Sequence, residues 1–299
     1  MIAMRTLKSH GRYDYSPIIG RLGYAWPEER RLAVYLGFNL EHFEFARGLG
    51  ARLAPSAEPD VLNFAWRDYG NRVGAWRCLE LFDELEFPAG VLLNTALYDY
   101  CPELLAAFRA RGDEMIGHGH TNAERQGDMT PDAERALIEA CTERMTTEEG
   151  VAPRGWLSPW ISESVSTPDL LAAAGYRYTL NWCHDDQPQP FRTAHGPLWS
   201  IPYPQEINDI PTIIARQASA EEFAGMIVDC YDEMLAQSVK QPLVMGIALH
   251  PYIVGQPHRL KPLRRALRHI VSSGRAWLTT PGRIYAHVTG GSPSLVAPE

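Results

Sequence analysis

Two histidines stand two residues apart in Asp113-Glu-Met-Ile-Gly-His118-Gly-His120-Thr-Asn122, where a short apolar segment runs out. Imidazole titrates near neutral pH and is the commonest metal ligand, so the pair could move protons or hold a cation. Met115 and Ile116, between Gly112 and Gly119, read as a buried strand ending in a turn. Alone, such a pair is a core histidine bonded to backbone and a surface histidine. Other apolar segments of the chain end the same way. Residues 31–38 lead into Asn39-Leu-Glu41-His42-Phe43, and Leu243–Leu249, a continuous apolar run, leads into His250. Residues 154–158 end at Ser158, and residues 176–180 run into Asn181-Trp182-Cys183-His184-Asp185-Asp186. In an α/β barrel, polar groups after successive strands converge on one mouth. That predicts Glu41, His118, Ser158, Asp186 and His250 around a common cavity.

The elements that would position these groups alternate strand and helix without a linker between them, which points to one parallel α/β barrel. Residues 1–27 read as an N-terminal arm, 28–290 as the barrel and 291–299 as a flexible tail. Residues 46–66 read as loop and Asp68-Tyr-Gly70-Asn-Arg72 as a turn, followed by an amphipathic helix over 73–86. Thr130-Pro131 combines an N-cap with proline at the first helical position, and Ser219 with Glu222 forms a capping box. The arm lacks the periodic apolar positions for a core of its own. An arm of this kind orders against another surface, often across a subunit contact, so a homo-oligomer (dimer or tetramer) is expected.

Composition narrows the function. The chain has 299 residues, 45% hydrophobic and 21% charged, ordinary values for a globular protein. A formal charge of −8, with no basic cluster interleaved with aromatics, disfavours nucleic acid as a partner. The five cysteines form no CxxC pair, which indicates neither a disulfide framework nor a thiolate zinc site. No apolar run reaches the length of a membrane span, and no secretory leader is recognised. A cytoplasmic location and a small-molecule substrate are the simplest expectations.

The acidic residue after the first strand, Gly-His118-Gly, Arg154-Gly-Trp156 and the late Leu249-His250 resemble the polysaccharide deacetylase superfamily. Asp68-Tyr-Gly-x-Arg72-x-Gly, Gly155-Trp156, Asp185-Asp186 with Pro188, and Leu249-His250-x3-Gly255-x-Pro257 look closest to its cofactor-independent allantoinases and cyclic imide hydrolases. The resemblance covers about 28–290. It implies a distorted (β/α)7 barrel and hydrolysis of C–N bonds in acetamides or in cyclic amides, imides and ureides.

Departures from the family pattern shape the chemistry. Metal-dependent sugar deacetylases carry paired aspartates after the first strand and His-x-x-x-His later. Here the first motif reads Phe38-Asn39-Leu40-Glu41-His42, and Asn122 stands where the second histidine would be. A neutral amide is a poor zinc ligand beside imidazole. No tightly bound metal is therefore expected; a divalent ion such as zinc, were it bound, would fall to Glu41, His118 and Asn122. Without a Lewis acid, amide hydrolysis still needs a base for water, a donor for the oxyanion and an acid for the leaving nitrogen. Glu41, its pKa raised by burial, is the expected base. His118 and His250 are the expected acid and oxyanion stabilisers. Trp156, Trp160 and Trp182 would wall a planar ring, with Asp186 and Asn122 at the same site. Arg72 would either bind a carboxylate or imide oxygen or pair with Asp68. Two other readings stand beside the cyclic-amide hydrolase: a metal-dependent N-deacetylase of a polysaccharide or small acetamide, and an inactive barrel that binds a small ligand.

Overall fold

The computed structural model describes residues 8–21 and 23–290; the tail expected over 291–299 lies outside them. The core is a curled sheet of nine strands: β1 (Leu32–Leu40), β2 (Ala89–Leu93), β3 (Glu114–Gly117), β4 (Gly155–Trp156), β5 (Tyr178–Thr179), β6 (Gln189–Phe191), β7 (Leu198–Ser200), β8 (Leu243–Leu249) and β9 (Trp277–Thr279). Their order is β6-β7-β5-β4-β3-β2-β1-β8, with β9 also against β1. Only β6, hydrogen-bonded to β7, is antiparallel.

The ring β1, β2, β3, β4, β5, β7, β8 is thus parallel, as expected of a distorted (β/α)7 barrel. β1 is long enough to change partners: Ala33–Tyr35 pair with β9 and Leu36–Leu40 with β2 on that side, while β8 runs along the other. Between β7 and β8 the ring closes without a ladder, through Ala248 N–H to Ile207 O (2.9 Å) and Val244 N–H to Asp186 O (2.9 Å). β1 and β8 are buried along their whole length, which holds the residues leaving their ends in fixed places.

The capping signals operate as the sequence predicts. Thr130 accepts from Ala133 N–H at 3.3 Å, and Ser219 and Glu222 exchange both bonds of a capping box. Residues 61–74 correct the reading. Val61–Tyr69 is a helix capped by Asp60, and it continues through a π-helical turn, Gly70–Gly74, into the helix Ala75–Glu84. Gly70, read as part of a turn, serves a close approach instead, as does Gly74 in the expected helix. A methyl on Gly70 would lie 2.8 Å from Tyr252 N, and one on Gly74 would collide with the Pro251 carbonyl.

The described part of the arm lies on its own barrel. Arg12 pairs with Asp169 at 2.8 Å and Arg21 with Asp185 at 2.6 Å. Trp26 Nε1 donates to Leu243 O at 3.0 Å, and Tyr13 stacks on His184 with ring centroids 4.2 Å apart. The described part of the arm thus finds contacts within the chain. Among the described residues no helix is long and apolar enough to cross a membrane.

Candidate active site

Glu41 follows β1 directly, His118 follows β3 and His250 follows β8, and all three line one cavity of about 290 Å³. Glu41 is at its centre. Its Oε1 lies 3.4 Å from His118 Nε2, 3.6 Å from His250 Nε2 and 2.5 Å from Asn122 Nδ2. Its Oε2 accepts from the Tyr252 hydroxyl at 3.1 Å. Asn71, in the π-helical turn, fixes the Glu41 carbonyl at 2.8 Å.

Each imidazole is aimed by its other nitrogen. His118 Nδ1 donates to Leu157 O at 2.7 Å, which turns Nε2 towards Glu41. His250 is clamped by Asp209, whose two oxygens accept from His250 N–H at 2.7 Å and from Nδ1 at 2.6 Å. Burial pushes the His250 imidazolium towards losing its proton, but the carboxylates of Asp209 and Glu41 prevail and raise its pKa to about 10. Burial pushes the Glu41 carboxyl up; the His250 charge and the hydrogen bonds of His118 and His250 prevail and hold it at about 2. The sequence expectation of a raised Glu41 is thereby reversed. Burial is present as expected, but the cation beside it outweighs desolvation.

The orientation of Asn122 follows from a backbone amide. His42 N–H donates to Asn94 Oδ1 at 2.8 Å, so Asn94 Nδ2 faces Asn122 Oδ1, at 3.0 Å. That occupies the Asn122 carbonyl and presents its NH2 to Glu41. A divalent cation needs three donors here and would find a carboxylate, one imidazole nitrogen and an N–H group. The Asn122 oxygen is thus not offered to a cation beside Glu41 and His118. Among the described residues no group of three or more His, Cys, Asp or Glu side chains is arranged to hold one.

The remaining expected residues separate. Trp160 lines the cavity and donates from Nε1 to Asn122 O at 3.0 Å. It sits in a strained turn, with φ of +62° at Trp160 and +54° at Ile161, a conformation a β-branched residue adopts only when its surroundings enforce it. Trp156 is fully buried on the other side of β4, its Nε1 shared between Gln126 and Ser158. Ser158 Oγ accepts from that indole and from Asn181 Nδ2 at 2.9 Å, and it does not line the cavity. Trp182 packs on Tyr13 and Phe191 and donates to Glu163 at 2.6 Å. Asp186 lines a separate crevice under the arm. Arg72 has a 70% exposed side chain, 4.0 Å from Asp68. The common mouth therefore gathers Glu41, His118 and His250 but not Ser158 or Asp186.

Asp209, Tyr203 and Tyr252 were missed as site residues by sequence reasoning. Tyr252 lies two residues after His250, and both tyrosines line the cavity. Asp209 follows β7 in a polar stretch with Glu206 and Asn208, and nothing in its spacing singles it out.

No family model matches the chain. A provisionally named polysaccharide deacetylase of Schizosaccharomyces pombe is 24% identical over 237 residues, covering 73% of each chain. A peptidoglycan deacetylase of Helicobacter pylori is 22% identical over 245 residues, covering 71% of this chain and 82% of that one. In structure, a PuuE allantoinase superposes with a TM-score of 0.83 at 23% identity, covering 94% of this chain and 100% of the other. The curated and structural neighbours are thus those of the polysaccharide deacetylase superfamily, with an allantoinase among the shared folds.

Proposed function

We propose that the protein hydrolyses the C–N bond of a small, neutral cyclic amide, imide or ureide. The observation that carries this reading is the cavity itself. At about 290 Å³ it is at the small end for ligand sites, and its walls are largely apolar, with Phe43, Leu157, Ile161, Ile210 and Pro211 among them. Its charged groups are Glu41 and the His250 imidazolium, with Asp209 behind, and among the described residues no lysine or arginine lines it. A neutral ring suits such a site better than an anion. The deacetylases and the allantoinase among the chain's relatives support chemistry at an amide bond.

The geometry supports a division of labour different from the one read from sequence. A carboxylate held at about 2 is a weak base near neutral pH, so Glu41 orients the attacking water and carries charge. His118, once its Nε2 is unprotonated and its bond to Glu41 is given up, takes that water's proton on Nε2 while Nδ1 keeps Leu157 O. His250 delivers its Nε2 proton to the departing nitrogen, for which an imidazolium held by two carboxylates is prepared. Glu41 Oε1, within 3.4 Å of one imidazole and 3.6 Å of the other, returns the proton from His118 to His250. Water and amide thereby become acid and amine with both imidazoles restored. The test is hydrolysis of allantoin, succinimide, maleimide, dihydrouracil and a chitooligosaccharide, with and without chelator. Ring opening that survives the chelator is expected. One zinc per chain, activity lost on its removal and a preference for the chitooligosaccharide would establish the second reading, a metal-dependent deacetylase, which the names of the curated relatives favour.

A further inference from the structure

We propose that Tyr203 is a catalytic residue whose hydroxyl donates to the carbonyl oxygen under attack. This rests on the amide-hydrolase reading above and names the group that stabilises the oxyanion. The attacked carbonyl gains a negative charge as water adds, close to Glu41 and Asp209. His250 cannot hold that charge alone, because its Nε2 proton faces Glu41 and is due to leave with the nitrogen. A neutral donor that gives nothing up is required.

Most of the cavity's other donors are committed; Asn208 Nδ2, which also lines it, reaches only Pro204 O, at 3.5 Å. Tyr252 gives its proton to Glu41 at 3.1 Å, Asn122 gives an N–H to the same carboxylate at 2.5 Å, and Trp160 Nε1 is bound to Asn122 O at 3.0 Å. Gln205 stands partly exposed to solvent.

Tyr203 differs. It is 3% exposed and lines the cavity, and its oxygen accepts from Asn39 Nδ2 at 3.1 Å. Its own proton finds among the described residues only Asn39 Oδ1, at 3.4 Å, beyond the usual ~2.5–3.0 Å of an O–H···O bond. Accepting from Asn39 polarises the hydroxyl and leaves its hydrogen for the cavity. Asn39 Nδ2 also reaches Leu249 O at 3.2 Å, so the phenol is fixed beside the residue that precedes His250. Gly37 makes room for the ring: a methyl there would lie 3.0 Å from Tyr203 Cε2. Buried Asn39 inside a strand is then explained as the support of a donor. Burial, followed by the charges of Glu41 and Asp209, raises the Tyr203 phenol above its ordinary pKa, so it remains a neutral donor.

Tyr203→Phe tests the inference on whichever amide of the panel, cyclic or acyclic, the wild-type protein cleaves fastest. Loss of one oxyanion donor is expected to lower kcat about 10²-fold with KM little changed. The penalty should shrink at least tenfold on the thiocarbonyl analogue, because sulfur is a poor hydrogen-bond acceptor, whereas a packing defect would cost both substrates alike. Equal losses on both, or kcat within twofold of wild type, overturn the proposal and leave the amide-hydrolase reading standing. Cleavage of acyclic amides alone overturns the cyclic reading while Tyr203 is still judged on that substrate. A wild-type protein that cleaves no amide overturns both.

Discussion

Around β1, β3 and β8 the polar groups that follow the strands face one another across a cavity, each with capacity left over. Around β4 and β5 the same residue types are consumed. Glu163 accepts from Asn181 at 2.7 Å and Trp182 at 2.6 Å, and Ser158 is shared by Trp156 and Asn181. Buried Glu134 takes Gln126 at 2.8 Å, Ser164 at 2.5 Å and Thr167. Both regions bury carboxylates; only the first places an imidazolium between two of them. A polar residue at a strand end is thus a candidate for chemistry when its partner also titrates and its remaining capacity opens on space. When neutral donors satisfy it, it ties loops together.

The largest expected effect comes from removing the cation on the reactive side. His250→Ala should lower kcat by about 10²–10⁴, and His250→Gln should not recover it, because an amide cannot deliver a proton. The protein should also become less stable, since Glu41 and Asp209 would keep their buried charges without the shared partner. Asp186→Asn, on a residue that also follows a strand but lines the crevice under the arm, should leave kcat within about twofold. Steady-state kinetics on the three variants check the contrast. Equal losses at residues 250 and 186 would dissolve the distinction between the regions.

A smaller effect appears in pH dependence. The folded His250 pKa of about 10 exceeds its ordinary value, so its contribution to stability is complete below about 6.5 and lost as pH rises through 10. Glu41 is depressed to about 2, so its contribution is complete above about 4.5 and lost as pH falls towards 2. Stability from this pair should therefore be flat between about 4.5 and 6.5 and decline slowly on either side. The alkaline limb of kcat should lie near 10. An alkaline limb between 6 and 7 that vanishes in His250→Gln would show that the two carboxylates do not hold the proton.

The sequence revealed the barrel and the three groups on its most regular strands, because apolar runs such as Leu243–Leu249 fix both an element and its end. It did not reveal Asp209, whose role depends on β8, forty residues downstream in the chain and adjacent only in space. Gly70 misled in the opposite sense. Its lack of a side chain reads as a turn, yet it serves to admit the backbone after His250. Trp156 faces away from the expected site because of parity. β4 is two residues long, and neighbouring positions point to opposite faces, so Leu157 lines the cavity while Trp156 packs with Ile138, Cys141 and Tyr176. With so short a strand, no alternating pattern marks which face is which.

Trp156→Phe puts that parity argument at risk and should have the smallest effect on activity. The indole lies fully buried, edge-on to Tyr176 at 5.3 Å between centroids, and over Gly117, where a methyl would come within 2.6 Å of it. Phenylalanine keeps most of this contact but leaves a void and removes the Nε1–H. Ser158 would retain Asn181, and Gln126 would retain Glu134, but the Gln126 carbonyl would lose its donor. A buried acceptor left unpaired, together with a small cavity, costs on the order of 2 kcal/mol. The melting temperature should fall by several degrees while kcat and KM stay within about twofold, because His118 is aimed by Leu157 O and not by the indole. If kcat instead fell tenfold at an unchanged melting temperature, Trp156 would belong to the reactive side, and the division between spent and unspent strand ends would have to be redrawn at β4.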